Sequence, residues 1–200
     1  MSVGVIDTST ANIASVRFAL ERLGANYTLV RTPSEATSCD RLILPGVGAA
    51  GPAMRTLDQS GWSEQLRAET RPVLGLCLGM QMLFEYSEES ECALLGLIPG
   101  RIERLDPQSD GPWPHMGWNA LEGFADDEPL LEGIDPGARV YFVHGYYAPA
   151  GPNTVASSRY GQELTAIARR GNIAGCQFHP ERSSQVGARI LANFLKGSGA

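Results

Sequence analysis

A single cysteine lies between two glycines in the segment GLCLGMQ, residues 75–81. A short apolar run precedes this segment and a helix-like pattern follows it, so the glycines predict a sharp turn from a strand into a helix, with Cys77 at the turn. The N–H groups and the positive dipole end of that helix would favour a thiolate. The segment therefore predicts a nucleophile, although a buried cysteine in a tight turn explains these residues alone about equally well.

A candidate base and a carboxylate lie close together in the later segment FHPE. Pro180 would end the preceding strand and hold Glu181 in a turn beside the imidazole of His179. His179 could then take the thiol proton and return a proton to a leaving amine, while Glu181 orients the ring. His144 is the competing base, with a hydrogen-bonded strand histidine as its alternative interpretation. His115 is expected to be structural or to lie at an interface.

Backbone N–H groups near the predicted nucleophile could bind the negative charge of a tetrahedral intermediate. Leu78 directly follows the cysteine, so its N–H is one natural donor. The segment LPGVG leaves N–H groups exposed at the end of another predicted strand, which makes the Val47–Gly48 peptide a candidate for the second donor. We therefore predict an oxyanion hole built from Leu78 and either Val47 or Gly48.

Residues 46–51, GVGAAG, also match the dinucleotide-binding fingerprint G-x-G-x-x-G. That fingerprint requires a helix that opens at the motif and an acidic residue about twenty positions later, at the end of the next strand. Here Pro52 follows the third glycine, and the next predicted strand ends in Cys77. We therefore expect no dinucleotide, no other cofactor and no metal.

Three polar side chains follow Cys77 at intervals of four residues, namely Gln81, Glu85 and Glu89. On one continuous helix they would share a face with the cysteine. A carboxylate such as Glu89 could pair with a cationic amino group, and Gln81 could bind the backbone of an amino acid. For Glu85 an exposed acidic helix end is the simpler interpretation. The spacing predicts an amino-acid site beside the nucleophile.

The rest of the chain predicts an α/β fold, with a mostly parallel open sheet, helices on both faces and short additional antiparallel strands. A first helix is expected from its cap at Asn12 to Gly24, and a last helix begins at about Ser184. The region 96–147 predicts short strands and loops. The predicted strands cover residues 3–6, 27–30, 42–44, 73–76, 140–143, 164–168 and 173–178.

The bulk composition limits the class of protein. A chain of 200 residues without a repeat or linker predicts a single domain over residues 1–200. A formal net charge of −6 argues against nucleic-acid binding. No stretch is long and apolar enough to span a membrane, and no leader pattern is visible, so we expect a cytoplasmic protein. The cysteines other than Cys77 show no CxxC spacing and are expected to be buried apolar side chains.

The motifs PGVGA, GLCLGMQ and FHPE together resemble the class I, or triad, glutamine amidotransferases, in which cysteine, histidine and glutamate hydrolyse glutamine and release ammonia. The further segments LGLIPGRI, PHMGWN, YFVHGYY and QFHPERS occur in the order and spacing of one group within that family. In this respect the chain is similar, over nearly its whole length, to the glutaminase subunits of imidazole glycerol phosphate synthase in histidine biosynthesis.

The resemblance implies that Cys77, His179 and Glu181 hydrolyse L-glutamine without a cofactor. It also implies that ammonia passes to a (β/α) barrel cyclase subunit, which makes imidazole glycerol phosphate and aminoimidazole carboxamide ribonucleotide. Glutamine would be bound by Gln81, Glu89, Gly145 and Tyr146. Residues expected near the cyclase are Asn12, Trp118, Asn119, Tyr141 and Arg182.

The chain departs from the family pattern at several positions, none of them in the triad. DTSTAN replaces DYGxGN, which retains Asn12 but loses both glycines. Gly145 replaces a serine or threonine, so any contact there with the glutamine carboxylate must come from backbone N–H groups. Ala50 replaces a common aromatic residue, and Arg182 a common lysine. Two alternatives remain at this stage: a glutaminase that serves another synthase, and a catalytically silent scaffold.

Overall fold

The computed structural model describes residues 1–8, 13–109 and 111–197, which form thirteen strands and five α-helices. The strands are β1 (Ser2–Ile6), β2 (Asn26–Val30), β3 (Arg41–Gly46), β4 (Val73–Cys77), β5 (Tyr86–Ser87), β6 (Cys92–Ala93), β7 (Arg101–Arg104), β8 (His115–Ala120), β9 (Arg139–His144), β10 (Tyr146–Tyr147), β11 (Thr154–Tyr160), β12 (Gln162–Arg170) and β13 (Ile173–Cys176). The helices are α1 (Ile13–Arg22), α2 (Ala50–Gln59), α3 (Trp62–Arg67), α4 (Leu78–Gln81) and α5 (Ser184–Lys196), with 3₁₀ turns at Pro33–Ala36, Pro129–Leu131 and Pro180–Arg182.

One seven-stranded sheet forms the centre of the molecule, in the order β11-β12-β13-β4-β3-β1-β2. The strands from β13 to β2 pair in parallel, whereas β11, β12 and β13 pair antiparallel. Two small sheets accompany it, one of order β10-β7-β5-β6 and one formed by the antiparallel pair β8-β9. The mostly parallel sheet with short additional strands is therefore confirmed.

Helices cover both faces of the central sheet. On one face, α1 and α5 pack in a buried apolar cluster that includes Leu74 of β4. On the other face, α2 and α3 pack in a second cluster that includes Val73. Val73 and Leu74 are neighbours on one strand, so their side chains point to opposite faces. Each large apolar side chain buried in this way contributes roughly 1.5–3 kcal/mol to stability.

Most of the predicted elements are confirmed, although several of their boundaries differ from the prediction. Helix α1 ends before Gly24, which has a φ of +65° as a helix C-terminal glycine requires; its expected cap, Asn12, lies outside the described residues. The helix after Cys77 is only four residues long. Strand β13 ends at Cys176 rather than Phe178. Strand β11, which the sequence did not predict, extends the sheet at its antiparallel edge.

Helix α4 lies very close to strands β3 and β4, and glycines make this approach sterically allowed. A Cβ atom on Gly75 would lie 2.6 Å from the carbonyl oxygen of Gly79, and one on Gly46 would lie 2.7 Å from the Gly79 nitrogen. A Cβ atom on Gly79 would overlap the carbonyl oxygen of Leu44. The glycines around Cys77 thus fix the nucleophile turn against the centre of the sheet.

We expect Gly79→Ala to lower the free energy of unfolding by about 3 kcal/mol or more, because backbone atoms that cannot rotate away surround the added methyl group. Gly151→Ala is the matched control, since a Cβ there meets no atom within 4 Å, and its effect should stay within about 0.5 kcal/mol. Urea unfolding of both variants measures the difference. Equal stability of the two would contradict the packing described here.

Candidate active site

Cys77 occupies a strained turn at the carboxyl end of the central strand β4. Its backbone has φ 53° and ψ −110°, a conformation that side-chain-bearing residues rarely adopt. The residue is 8% exposed. This geometry is the strand-to-helix turn that the sequence predicted, and it places the sulfur above the edge of the sheet. Because α4 is a single turn, its dipole acts on the sulfur less strongly than a long helix would.

The imidazole of His179 connects the cysteine to a carboxylate. His179 Nδ1 lies 2.8 Å from Glu181 Oε1, and the side chains of the two residues are 7% and 5% exposed. The thiol of Cys77 lies near this ring, where it contributes to the raised pKa of His179, and its sulfur lies 3.9 Å from the Val143 carbonyl oxygen. The structure therefore brings together the three residues that the sequence proposed as a Cys–His–Glu relay.

The surroundings of His179 stabilise its protonated form. Burial by itself would lower the pKa of this ring, but hydrogen bonds and charges from Cys77 and Glu181 raise it to about 10. His179 therefore holds a proton at neutral pH that it can donate to a leaving group. A histidine in this state is suited to general acid catalysis.

The backbone of His179 is fixed by strand β9. Its N–H donates to the carbonyl of Tyr141 at 3.0 Å. The buried hydroxyl of Ser183 donates to the His179 carbonyl at 2.6 Å and accepts the Tyr141 N–H at 2.9 Å. Sequence reasoning missed Ser183, although a serine just after a proline turn is a typical backbone-binding residue. These bonds attach the candidate base to β9 on two sides.

The predicted oxyanion segment lies directly beside the nucleophile. Gly46 is the parallel sheet partner of Cys77, so Val47 and Gly48 follow at the same edge of the sheet. Gly48 has a φ of +92°, which favours glycine. The backbone of Leu78 begins α4 next to the sulfur. The three candidate donors are therefore neighbours.

The motif GVGAAG opens a helix after all, since α2 begins at Ala50 with Pro52 in its first turn. Pro52 is compatible with this helix, because first-turn N–H groups have no partner within the helix. The N–H of Ala50 donates to Glu89 at 2.8 Å and that of Gly51 to Ser90 at 3.0 Å. Side chains, one of them a carboxylate, thus occupy the place that a dinucleotide phosphate would need.

Glu89 reaches the site by a different path from the one that the sequence suggested. The helix ends at Gln81, so Glu85 and Glu89 do not share its face, and Glu85 is exposed. The turn after β5 instead brings the half-buried Glu89 against Ala50, and burial raises the pKa of its carboxyl group. Glu89 therefore lies next to the oxyanion segment.

The amide nitrogen of Gln81 is already engaged within the protein. It donates to the carbonyl of Tyr146 at 2.7 Å and to Gln177 Oε1 at 3.1 Å. Only its amide oxygen is left for a substrate. Gly145, next to Tyr146, has no space for a side chain, because a Cβ there would lie 2.6 Å from the indole ring of Trp113.

His144 is not the base. Burial, followed by the charge of His115, lowers its pKa to about 3, and its ring nitrogens contact His115 and the Tyr146 carbonyl. The alternative interpretation of a hydrogen-bonded strand histidine is confirmed. His115 is buried and begins strand β8, so it is structural, as expected.

The family model for class I glutamine amidotransferases matches residues 4–197, which include the strand-to-helix turn at Cys77, the predicted oxyanion segment and the His179–Glu181 pair. The chain belongs to the class I glutamine amidotransferase family. The resemblance seen in the sequence is thereby confirmed.

Similar proteins agree with this assignment. The chain is 49% identical to "Imidazole glycerol phosphate synthase subunit HisH" of Xanthomonas axonopodis pv. citri, over 98% of both chains. It is 45% identical to the protein of the same name from Shewanella oneidensis, over 97% of this chain and 95% of that one. A crystal structure of a glutamine amidotransferase superposes with a TM-score of 0.75 at 22% identity, over 97% of each chain, and supports the fold.

The residues expected at a partner surface of this amidotransferase fall into two groups. Trp118 is 46% exposed and packs edge-on against Tyr141 across the β8-β9 pair, while Arg182 is also exposed. The side chain of Asn119 instead points into the molecule, where it donates to the Arg159 carbonyl at 2.9 Å. Asn12 lies outside the described residues.

Within the described ranges, no group of three or more His, Cys, Asp or Glu side chains is arranged to hold a metal ion. None of the described helices combines the length and apolar character needed to cross a lipid bilayer. The cysteines other than Cys77 are free thiols, and Cys39 and Cys176 are buried, as predicted, whereas Cys92 is only half-buried.

We expect Glu181→Gln to lower stability in a pH-dependent way, because the substitution removes a charge that raises the pKa of His179. This contribution is complete below the unfolded-state histidine pKa of about 6.5 and is lost as the pH rises through about 10. The wild type should exceed the variant by about 1.5–3 kcal/mol at pH 6 and by much less at pH 10. Urea unfolding at both pH values measures this. The exposed Glu64, replaced by glutamine, is the control, and a difference that does not shrink would refute the ion pair.

Proposed function

We propose that this amidotransferase is the glutaminase subunit of an imidazole glycerol phosphate synthase, and that it hydrolyses L-glutamine to glutamate and ammonia for histidine biosynthesis. The observation that carries this proposal is the strained Cys77 beside a hydrogen-bonded His179–Glu181 pair, in a chain that is 49% identical to a HisH subunit. The catalytic, substrate and partner roles of individual residues are part of the proposal.

In the first half of the reaction the Cys77 sulfur attacks the side-chain carboxamide carbon of glutamine. A C–S bond forms, and the carbonyl oxygen becomes an oxyanion that the N–H of Leu78 and the Val47–Gly48 peptide stabilise. His179 holds the proton that the thiol has given up and passes it to the nitrogen as the C–N bond breaks, so that ammonia leaves and a thioester remains. One oxyanion donor of this kind lowers the barrier by about 3 kcal/mol.

In the second half a water molecule replaces the ammonia. His179 removes a proton from the water, whose oxygen attacks the thioester carbonyl carbon. The C–S bond then breaks, glutamate leaves, and His179 keeps the proton taken from water, which restores the protonated imidazole beside the sulfur. Glu181 stays ionised and holds the imidazole in one orientation throughout.

The substrate amino acid is bound by groups around this sulfur. The carboxylate of Glu89 would pair with the α-amino group of glutamine. The amide oxygen of Gln81 could accept a hydrogen bond from the same amino group. Since residue 145 is glycine, the α-carboxylate would be bound by the backbone N–H groups of Gly145 and Tyr146. This arrangement is supported by the contact of Glu89 with Ala50, just after the predicted oxyanion segment, and by that of Gln81 with the Tyr146 carbonyl.

The partner is the cyclase subunit, with a (β/α) barrel fold, and the proposed contact surface is the exposed side of β8 and β9. Met116 and Trp118 expose large apolar side chains there, at 62% and 46%, as protein interfaces often do. Tyr141 belongs to the same surface, and its backbone is bonded to His179 and Ser183. Contact with the cyclase would therefore act on the strand that fixes the base. We propose that the protein works in the cytoplasm, as a subunit of a biosynthetic enzyme.

We expect the purified chain, mixed with its cyclase subunit and the cyclase's nucleotide substrate, to release ammonia and glutamate from glutamine. Cys77→Ala should reduce this release by about 10⁴-fold or more, because the thioester cannot form. Cys92→Ala, a half-buried thiol outside the site, is the control and should keep wild-type turnover. Glutamate production that persists in Cys77→Ala would contradict the proposal.

Trp118→Ala should weaken binding of the cyclase by about 30-fold or more, since exposed tryptophans at the centre of an interface often contribute about 2 kcal/mol. Trp118→Phe, which retains an aromatic ring, should lose less. Titration calorimetry of the two subunits gives the dissociation constants. Unchanged affinity in Trp118→Ala would place the cyclase on another surface.

A further inference from the structure

Two buried histidines outside the triad form a continuous hydrogen-bond chain. His115 Nδ1 lies 3.0 Å from His144 Nε2, across the register of β8 and β9. His144 Nδ1 lies 2.9 Å from the carbonyl oxygen of Tyr146, and the Asn119 amide nitrogen lies 3.4 Å from His115 Nε2. The two histidines are only 3% and 6% exposed. The reaction steps proposed above use neither ring.

The chemistry of the partners fixes where each proton lies. A carbonyl oxygen only accepts, so Nδ1 of His144 must bear a hydrogen. In a neutral ring Nε2 is then an acceptor, and His115 must donate to it from Nδ1. His115 Nε2 accepts in turn from Asn119, whose amide nitrogen also donates to the Arg159 carbonyl at 2.9 Å and whose oxygen accepts from Ala120 N–H at 2.8 Å. The chain therefore has one direction only, from Asn119 to Tyr146.

The environment keeps both rings neutral and in place. His115 is stacked between Phe142 and Tyr160, with ring centroids 4.8 Å and 3.9 Å away. Burial lowers the pKa of His115 to about 4, and burial together with the repulsion from a protonated His115 lowers that of His144 to about 3. A proton added to His144 would place two N–H groups against each other. Neutral rings therefore preserve the chain at physiological pH.

The chain ends on an atom that connects the two halves of the active site. The Tyr146 carbonyl accepts from His144 and also from Gln81 Nε2, at 2.7 Å. Gln81 belongs to the helix that begins directly after Cys77, and it donates as well to Gln177, two residues before the base. Because Gln81 donates a hydrogen bond to this carbonyl, the position of the carbonyl helps to set the orientation of Gln81 toward bound glutamine.

We propose that His115 and His144 are positioning residues, which form a neutral, one-directional hydrogen-bond relay that holds the Tyr146 carbonyl, and with it Gln81, in the arrangement that binds glutamine. The assignment of a glutamine site rests on the proposed function. The relay itself is defined by which ring nitrogens bear protons, and these positions can be measured without any turnover.

The first test is ¹⁵N NMR of the full wild-type chain labelled at histidine, at pH 7. We expect His115 and His144 to be neutral Nδ1–H tautomers with protonated nitrogens that exchange slowly with water. Single His115→Phe and His144→Phe variants assign the signals. An Nε2–H tautomer or a cationic ring at either position would overturn the relay, whatever the enzyme turns over.

The second test separates positioning from mere folding. His144→Phe removes the donor to Tyr146, so the KM for glutamine in the complex with the cyclase should rise about tenfold, the loss expected for one well-made hydrogen bond, while kcat changes less than threefold. His144→Asn can place an amide N–H near the position of Nδ1 and should restore KM to within about threefold of wild type. A wild-type KM in His144→Phe, or an equal rise in both variants, would overturn the positioning role. Absence of turnover in the wild type would instead refute the proposed function and leave the NMR result standing.

Discussion

The active site depends on one strained residue at the end of the central strand. Cys77 has a positive φ although it bears a side chain, a conformation that costs about 1–3 kcal/mol unless its surroundings hold it. Here they do, because the glycines at 46, 75 and 79 let α4 approach β3 and β4 until backbone atoms are in contact. The sulfur is consequently fixed at the carboxyl edge of the sheet, and every other part of the site is built around it.

The parallel order of the sheet brings the remaining parts to that edge. Strands β3, β4 and β13 are neighbours and parallel, so the segments that follow them lie side by side. The predicted oxyanion segment follows β3, Cys77 ends β4, and His179 follows β13. Sites at the carboxyl ends of strands are the rule in open α/β sheets. Residues about a hundred positions apart in the chain thereby meet at one edge of the sheet.

Strand β9 connects this group to the surface. The main chain of Tyr141 in this strand hydrogen-bonds with His179 and with Ser183. The pairing of β9 with β8 places the exposed Trp118 opposite Tyr141 and the buried His115 opposite His144. One two-stranded element therefore contacts the base, the proposed substrate site and the proposed partner surface. Short, directional hydrogen bonds therefore connect these three parts of the molecule.

The sequence by itself determined the features that depend on neighbouring residues. Glycines around a cysteine predict a sharp turn, a proline between His179 and Glu181 predicts their proximity, and alternating apolar patterns predict strands and helices. Tertiary structure alone decided the rest, because those features depend on contacts between distant segments. The helix after Cys77 ends after four residues. A later turn brings Glu89 to the start of α2, where its carboxylate accepts a hydrogen bond from the Ala50 N–H. His115 and His144 are 29 positions apart and meet only because β8 and β9 pair in one register. A local pattern contains no information on which buried polar groups will satisfy one another, so these partners were visible only in the folded chain.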